Sequence, residues 1–348
     1  MKLFNLYKIQ KATTTSREFF INDDGIKCVH YGDIYKNYSF RFIKSSKIIN
    51  TFSKEVKNSM ILKEDSIIIP DVTETVSDYG HPTYIKYDGV PYINGTHALA
   101  ITSAGGNLKY LFYYLQNPSN IKRLQSLLLG STVFGISIKD FENFELINYK
   151  EANSCQQHIV DIIGSIDNKI ENNNKIISNL LKLGDLIQLK SNCKLIDCNA
   201  LKFNYGKSIP KNNRNSGKFK LFSSNGITDT INESNSHGCS IIFGCRGTIG
   251  TVSYSYDDCF VLNTAMYINC DEKDIGKLFF AIRQKKGFVD CATGAVQLQI
   301  TINEINKERI KISNNDDLNI ILRFINNIYM ENEKLKDLKQ NYLLKFFQ

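Results

Sequence analysis

No stretch of the 348-residue chain approaches the roughly 18–20 consecutive apolar residues that a bilayer-spanning helix needs. Lysines break every apolar run in residues 1–11, so neither a signal peptide nor a membrane anchor is expected, and the protein reads as soluble and cytoplasmic. The nine cysteines form no C-x-x-C pair, and Cys193/Cys198, Cys239/Cys245 and Cys259/Cys270 are too irregularly spaced for a zinc site. Five scattered histidines add no H-x3–5-H arm, so reduced thiols, no metal and no cofactor are expected. Also missing are a Gly-x-Ser-x-Gly elbow, a Ser/His/Asp or Cys/His set and an Asn-Pro-Pro-Tyr run. These absences favour a reader or adaptor over an enzyme.

What is present is globular in composition, with 42% hydrophobic and 22% charged residues and enough length for two ordinary domains. The formal net charge of +8 is unevenly placed. Lys202, Lys207, Lys211, Arg214, Lys218 and Lys220 occur with no acidic residue among them. Lys36, Arg41, Lys44, Lys47, Lys54, Lys57 and Lys63 form a second basic stretch, with Glu55 and Glu64 towards its end. A charge run is often a solvated face, but two such runs suit a polyanion such as double-stranded DNA.

The chain also repeats itself. Gly130, Ile136-Ser137, Phe141 and Leu146 match Gly294, Ile300-Thr301, Ile305 and Ile310 at an offset of 164 residues. Downstream, Val160, Ile163, Ile166, Ile170, Ile177 and Leu180 match Leu318, Ile321, Phe324, Ile328, Leu335 and Leu338 at an offset of 158. A period near 160 is too long for a solenoid, so each copy reads as a globular head followed by a long helix.

Each head mixes short β-type runs with turn signals and carries one amphipathic helix, expected over about 108–129 in the first and near 275–288 in the second. Ser66-Ile67-Ile68-Ile69, closed by Pro70, finds its counterpart in Ser240-Ile241-Ile242-Phe243, and Asn94 in Asn263. In the long helices Ile163, Ile170, Ile177 and Gly184 form one heptad series, and Ile166, Asn173, Leu180 and Ile187 the other. The second copy gives Ile321, Ile328, Leu335 and Tyr342, with Phe324, Glu331, Leu338 and Lys345. Spacings of 3 and 4 mark a coiled-coil seam, with Asn173 and Glu331 as a shared polar layer. The stretch from Gln156 to Leu189 would extend about 50 Å at 1.5 Å per residue. Antiparallel pairing of two such helices would hold the heads apart.

Gly244-Cys245-Arg246-Gly247-Thr248-Ile249-Gly250 lacks both the dinucleotide fingerprint and the P-loop Lys-Ser/Thr. It reads as a tight loop between strands with Arg246 at its tip, suited to a guanine edge or a phosphate, and a surface arginine without a role is an equal alternative. Its counterpart, Pro70 to Pro82, begins Pro-Asp but lacks the nuclease [DE]-x-Lys triplet, leaving a hydroxyl- and aromatic-rich loop with Thr73, Thr75, Tyr79 and His81.

In order, Tyr205-Gly206-Lys207-Ser208-Ile209-Pro210, Gly217 to Ile227, Arg246-Gly247-Thr248-Ile249-Gly250, Asn263-Thr264-Ala265-Met266 and Gly294-Ala295-Val296-Gln297 resemble a target-recognition domain of the specificity subunits of type I restriction–modification enzymes. Pro70 to Gly80, Asn94 with His97, and Gly130-Ser131 to Ile136-Ser137 continue that resemblance in the first copy, which lacks the Arg-Gly-x-x-Gly loop. The resemblance covers essentially the whole chain. It implies an α+β protein with two mixed α/β target-recognition domains at 1–153 and 191–314, and conserved helices at 154–190 and 315–348 forming a long antiparallel two-helix coiled coil with pseudo-twofold internal duplication. It further implies a non-catalytic subunit that reads a split DNA sequence and binds two methyltransferase (modification) subunits, and through them motor-nuclease (restriction) subunits. The DNA-contacting residues expected are Lys36, Arg41, Lys44, Thr73, Thr75, Tyr79 and His81 in the first head, and Lys207, Lys211, Arg214, Lys218, Lys220, Ser224, Asn225, Arg246 and Thr248 in the second. The rivals are a coiled-coil interaction scaffold that binds no nucleic acid, and a self-contained nuclease or transferase.

Overall fold

The computed structural model describes residues 1–21, 25–150, 152–210, 214, 217–294 and 297–348. They fall into two units, Met1–Lys169 with Lys334–Gln348, and Ile170–Glu333.

In unit 1 the isoleucine run Ser66–Pro70 is buried at every residue. It occupies the middle of a sheet ordered Tyr7–Gln10, Ala98–Ser103, Ser66–Pro70, Thr83–Lys86, Phe42–Lys44. The first four strands are antiparallel neighbours and Phe42–Lys44 joins in parallel. A strand covered on both faces carries a continuous apolar run instead of alternating. A second sheet runs Phe20–Ile21, Asn50–Phe52, Ile26–Val29, Tyr92–Asn94, with Ile26–Val29 parallel to Tyr92–Asn94.

Unit 2 follows the same plan. Phe203–Tyr205, Ala265–Asn269, Ser240–Gly244 and Val252–Ser255 form an antiparallel sheet in the order of the first four strands of unit 1. Phe219–Ser223 pairs antiparallel with Gly226–Ile231 and parallel with Cys259–Val261, as Ile26–Val29 does with Asn50–Phe52 and Tyr92–Asn94.

The offset of 164 holds in backbone hydrogen bonds. Leu129 and Gly135 exchange both bonds at 2.9 Å, and so do Thr293 and Gln299. Ser137 caps a helical turn by accepting from Asp140 N, and Thr301 does the same from Glu304 N. Gly130 (φ +140°) and Gly294 (φ +127°) both hold a backbone that a side chain would strain, and a Cβ on either would strike the carbonyl oxygen three residues on.

In unit 1 two expectations need correction. The single helix over 108–129 is two, Leu108–Tyr114 and Pro118–Gln125. Pro118 has no N–H to continue a helix, but it fits the first turn of a new one, which Asn117 caps by accepting from Ser119 N and Asn120 N. Asn94 corresponds to Val261 instead of Asn263, because Asn94 pairs with Val29 as Val261 pairs with Phe222. Asn94 is a buried hub whose amide donates to the carbonyls of Lys11 and Ala98.

The long helices are Asn153–Lys190 and Asp317–Phe346, and the division between units falls inside both. Within unit 1, Ile159, Val160 and Ile163 share a core with Leu343 and Phe347. Within unit 2, Ile177 shares a core with Ile321, Leu322 and Ile325. On the first helix Ile163, Ile166, Asn173 and Ile177 are buried, with Ile170 and Leu180 half-buried, as the heptads require. On the second helix Ile321 is buried and Ile328 and Leu335 are half-buried, but the other series is displaced by one residue. Phe324 (59% exposed) and Leu338 (42% exposed) face outwards, Glu331 is exposed but still accepts from Asn173 Nδ2 at 2.7 Å, and Ile325 and Asn332 are buried instead, with Lys339 half-buried. At 3.6 residues per turn, steps of 3 and 4 from Ile321 return to nearly the same face, so spacing alone does not separate Phe324 from Ile325. Among the described residues no helix is long and apolar enough to cross a membrane.

Candidate nucleic-acid interface

In unit 2, three loops converge on Asn263-Thr264. The central strand ends at Gly244, after which Cys245 N and Arg246 N both donate to Thr264 O, at 2.9 and 3.1 Å. Ser224 N, from the turn after Phe219–Ser223, donates to Thr264 Oγ1 at 3.2 Å. Asn263 N donates to the carbonyl of Lys207 at 3.1 Å. This layer brings together Lys207, Ser224, Asn225, Arg246 and Thr248, all exposed except Ser224, which is buried against the turn. An arginine, an ammonium, an amide and a hydroxyl on one rim can meet phosphates and base edges. Thr264 is the residue that the sequence reading did not select, although Asn263-Thr264-Ala265-Met266 was among its motifs.

The other basic residues of this head are placed differently. Arg214 is half-buried and turned inwards, with Nη2 donating to the Ile209 carbonyl at 3.2 Å and Nε buried without a partner among the described residues. As placed, its guanidinium is spent on the Ile209 carbonyl and not on a phosphate. Lys220 is half-buried within the strand Phe219–Ser223, between Thr230 and Cys259. Lys218 is exposed, its ammonium 5.5 Å from the centroid of the Phe219 ring. Lys211 lies outside the described residues.

Unit 1 builds its corresponding layer from different side chains. Asp71 N donates to His97 O, and Ile136 N to Asp71 O, the same two bonds that Cys245 makes with Thr264 and Ile300. Asp71 therefore stands where unit 2 has Cys245, and His97 where it has Thr264. Thr73 is buried and its hydroxyl donates to the Thr75 carbonyl at 2.8 Å, which shapes the loop and leaves Thr75 exposed. His81 is half-buried against Phe40 and Tyr35, its Nδ1 2.9 Å from Ser39 Oγ. Burial pushes its pKa below the usual histidine value, favouring the neutral ring.

Tyr79 does not belong to this surface. It is fully buried in the core, and burial drives its phenol well above the ordinary range. An aromatic beside turn residues fits a surface loop and a core anchor equally well, and here the loop needs the anchor. Lys36 and Arg41 are exposed near the helical segment that supports the loop, and Tyr35 Oη of that segment donates to the Val72 carbonyl at 3.0 Å. Lys44 is exposed on the edge strand beside Lys86, at the Ser66 end of the sheet and away from the Pro70 end that carries this layer.

All nine cysteines are free thiols, and of them Cys155 is exposed and the others are buried or half-buried. Among the described residues no cluster of three or more His, Cys, Asp or Glu side chains could hold a metal. Unit 2 also has an open groove of about 830 Å³ where Leu186 and Leu189 face Gly250–Val252 and the Arg283–Asp185 ion pair.

The family model of the type I restriction modification DNA specificity domain matches the chain twice, over residues 19–182 and 179–340. The fold is similar to that of the type I restriction-modification system S subunit from M. genitalium, with a TM-score of 0.57 and 14% identity over 100% of this chain and 95% of that one. The HsdS subunit from Thermoanaerobacter tengcongensis gives a TM-score of 0.31 and 12% identity over 90% of this chain and 92% of that one. A structure described under complex assembly and conformational transition of the type I R-M system gives 0.36 and 12%, over 100% and 99%. At those TM-scores only the first likeness bears on the fold. No curated protein matches the chain.

Proposed function

The chain belongs to the type I restriction modification DNA specificity family, and on that premise we propose that it is the DNA sequence-specificity subunit of a type I restriction–modification complex. It reads a bipartite target, one half-site per head, and docks methyltransferase subunits through its coiled coil. The heads are residues 1–153 and 191–314, and the helices are 154–190 and 315–348. The observation that carries this reading is the double family match over two units that share one strand order and differ in the loops around Thr264 and His97. One scaffold with two sets of loop side chains suits two different half-sites.

Phosphate contacts from Lys36, Arg41, Lys207 and Lys218 supply affinity without sequence information, and the Arg246 loop supplies base readout. Antiparallel pairing of the helices is supported within unit 2, where Asn173 bonds Asn332 while Ile177, further along the first helix, shares a core with Ile321, Leu322 and Ile325, earlier on the second. Ile176, Leu183, Leu186 and Leu189 on the first helix, and Ile320, Phe324 and Met330 on the second, are exposed and apolar. Such side chains suit the docking of two methyltransferase subunits, and indirectly of the motor-nuclease subunits that these recruit. The subunit is non-catalytic, and its work is recognition and assembly in the cytoplasm.

Fluorescence anisotropy of the chain in complex with its methyltransferase tests this reading. A methylatable duplex is expected to bind at least about a thousandfold more tightly than scrambled DNA of the same length at physiological salt. Equal binding of every duplex would remove the reading.

A further inference from the structure

The two heads present their polar groups from different places in a common backbone frame. In unit 2 the residue after Cys245 is Arg246, exposed and able only to donate. In unit 1 the residue after Asp71 is Val72, which offers neither donor nor acceptor in its side chain, and no arginine stands there. The polar group has moved to the neighbouring strand turn. His97, where unit 2 has Thr264, is 48% exposed and holds a left-handed backbone, φ +61°, that is uncommon for any residue but glycine. Its Nδ1 lies 3.1 Å from Asp71 Oδ1, and the Tyr31 ring meets its imidazole edge-on at 5.6 Å.

Resting on the DNA-reading function above, we propose that His97, oriented by Asp71, is the base-reading side chain of the first head, and that it reads an exocyclic amino group of adenine or cytosine. The chemistry follows from the partner. An ionised carboxylate can only accept, so Nδ1 carries the proton and donates to Asp71. In the tautomer with its proton on Nδ1, the lone pair is on Nε2, which makes no hydrogen bond to the protein among the described residues. In the major groove an acceptor complements adenine N6–H or cytosine N4–H, whereas the donor-only Arg246 complements guanine O6 and N7. The two heads therefore read opposite hydrogen-bond characters from equivalent layers. Asp71 is the positioning residue: its backbone is held on both sides, by His97 O and by Ile136 N, so its carboxylate fixes the tautomer and the direction of the ring.

The test is selection of duplexes from a randomised pool by the full chain with its methyltransferase. His97→Gly removes the side chain without straining the left-handed backbone, and His97→Asn keeps both that backbone preference and an acceptor. Wild type is expected to enrich two half-sites. His97→Gly is expected to lose about five- to tenfold of the preference for adenine or cytosine at one base pair of one half-site, leaving the other half-site intact as proof of folding. Asp71→Ala should relax the same base pair and no other, and His97→Asn should restore a preference there, for adenine. Unchanged enrichment by His97→Gly, or loss spread over both half-sites, overturns the assignment while the DNA-reading function stands. No enrichment by wild type overturns both.

Discussion

The side-chain amide of Asn173 donates to Asn332 Oδ1 at 2.8 Å and to Glu331 Oε2 at 2.7 Å, and Asn332 in turn donates to Asn174 at 3.1 Å. Asn173 and Asn332 are both buried. A polar layer inside an apolar helix pair fixes register at some cost in stability. Asn173→Ala leaves Asn332 without its donor and is expected to cost about 1–3 kcal/mol. Asn173→Leu combined with Asn332→Leu should recover most of that loss in thermal melts, because two apolar side chains need no partner. A double variant no more stable than Asn173→Ala would contradict this.

Lys339 lies 2.8 Å from Asp167, whose other carboxylate oxygen also accepts from Tyr113 Oη at 3.0 Å. Both ionic side chains are largely covered, at 13% and 20% exposure. Lys339→Met strands a partly buried carboxylate and is expected to cost about 1–3 kcal/mol, and Asp167→Asn in the same chain should return part of it. A double-mutant cycle on chemical denaturation gives the coupling, and a coupling near zero would show that the pair is only apposed.

Gly130→Ala and Gly294→Ala test the repeated loop. Each places a Cβ against a carbonyl oxygen and on a backbone with positive φ, so each is expected to lower stability by about 1–3 kcal/mol. Wild-type melting of either variant would show that the two loops are not the constrained pair described above.

His81 gives a pH dependence of defined sign. Burial lowers its folded pKa below the ordinary value of about 6.5, so the unfolded chain takes up the proton first. The stability linked to the neutral ring is present above about pH 6.5 and is lost as pH falls through the folded pKa. His30 is also lowered by burial and works in the same direction. His81→Gln should therefore reduce, without abolishing, the fall in Tm between about pH 7 and about pH 5. An unchanged slope would sever that link.

The helices and central strands were legible in the sequence because both rest on apolar periodicity. The uniform run Ile67-Ile68-Ile69 gives a buried strand, and the 3–4 spacing of Ile163, Ile166 and Ile170 gives a long helix. What periodicity leaves open is one-residue register, which is why Phe324 stood for Ile325 and Glu331 for Asn332. Asn173 donates to both Glu331 and Asn332, and only burial separates them: Asn332 is covered and Glu331 is exposed. The site was legible in part. Arg246, Ser224 and Asn225 share a layer because strand ends that lie far apart in the chain meet at Thr264, and the chain order does not announce that meeting. Arg214 and Tyr79 show the converse: a charge and an aromatic in loop-like surroundings are turned inwards by local packing.

The most direct test is a map of methylated positions in DNA from cells that carry this chain with its methyltransferase. Two half-sites separated by a fixed number of unread base pairs are predicted, with Arg246→Ala relaxing one half-site and leaving the other unchanged. A continuous target, or a methylation pattern indifferent to the presence of this chain, would contradict the account.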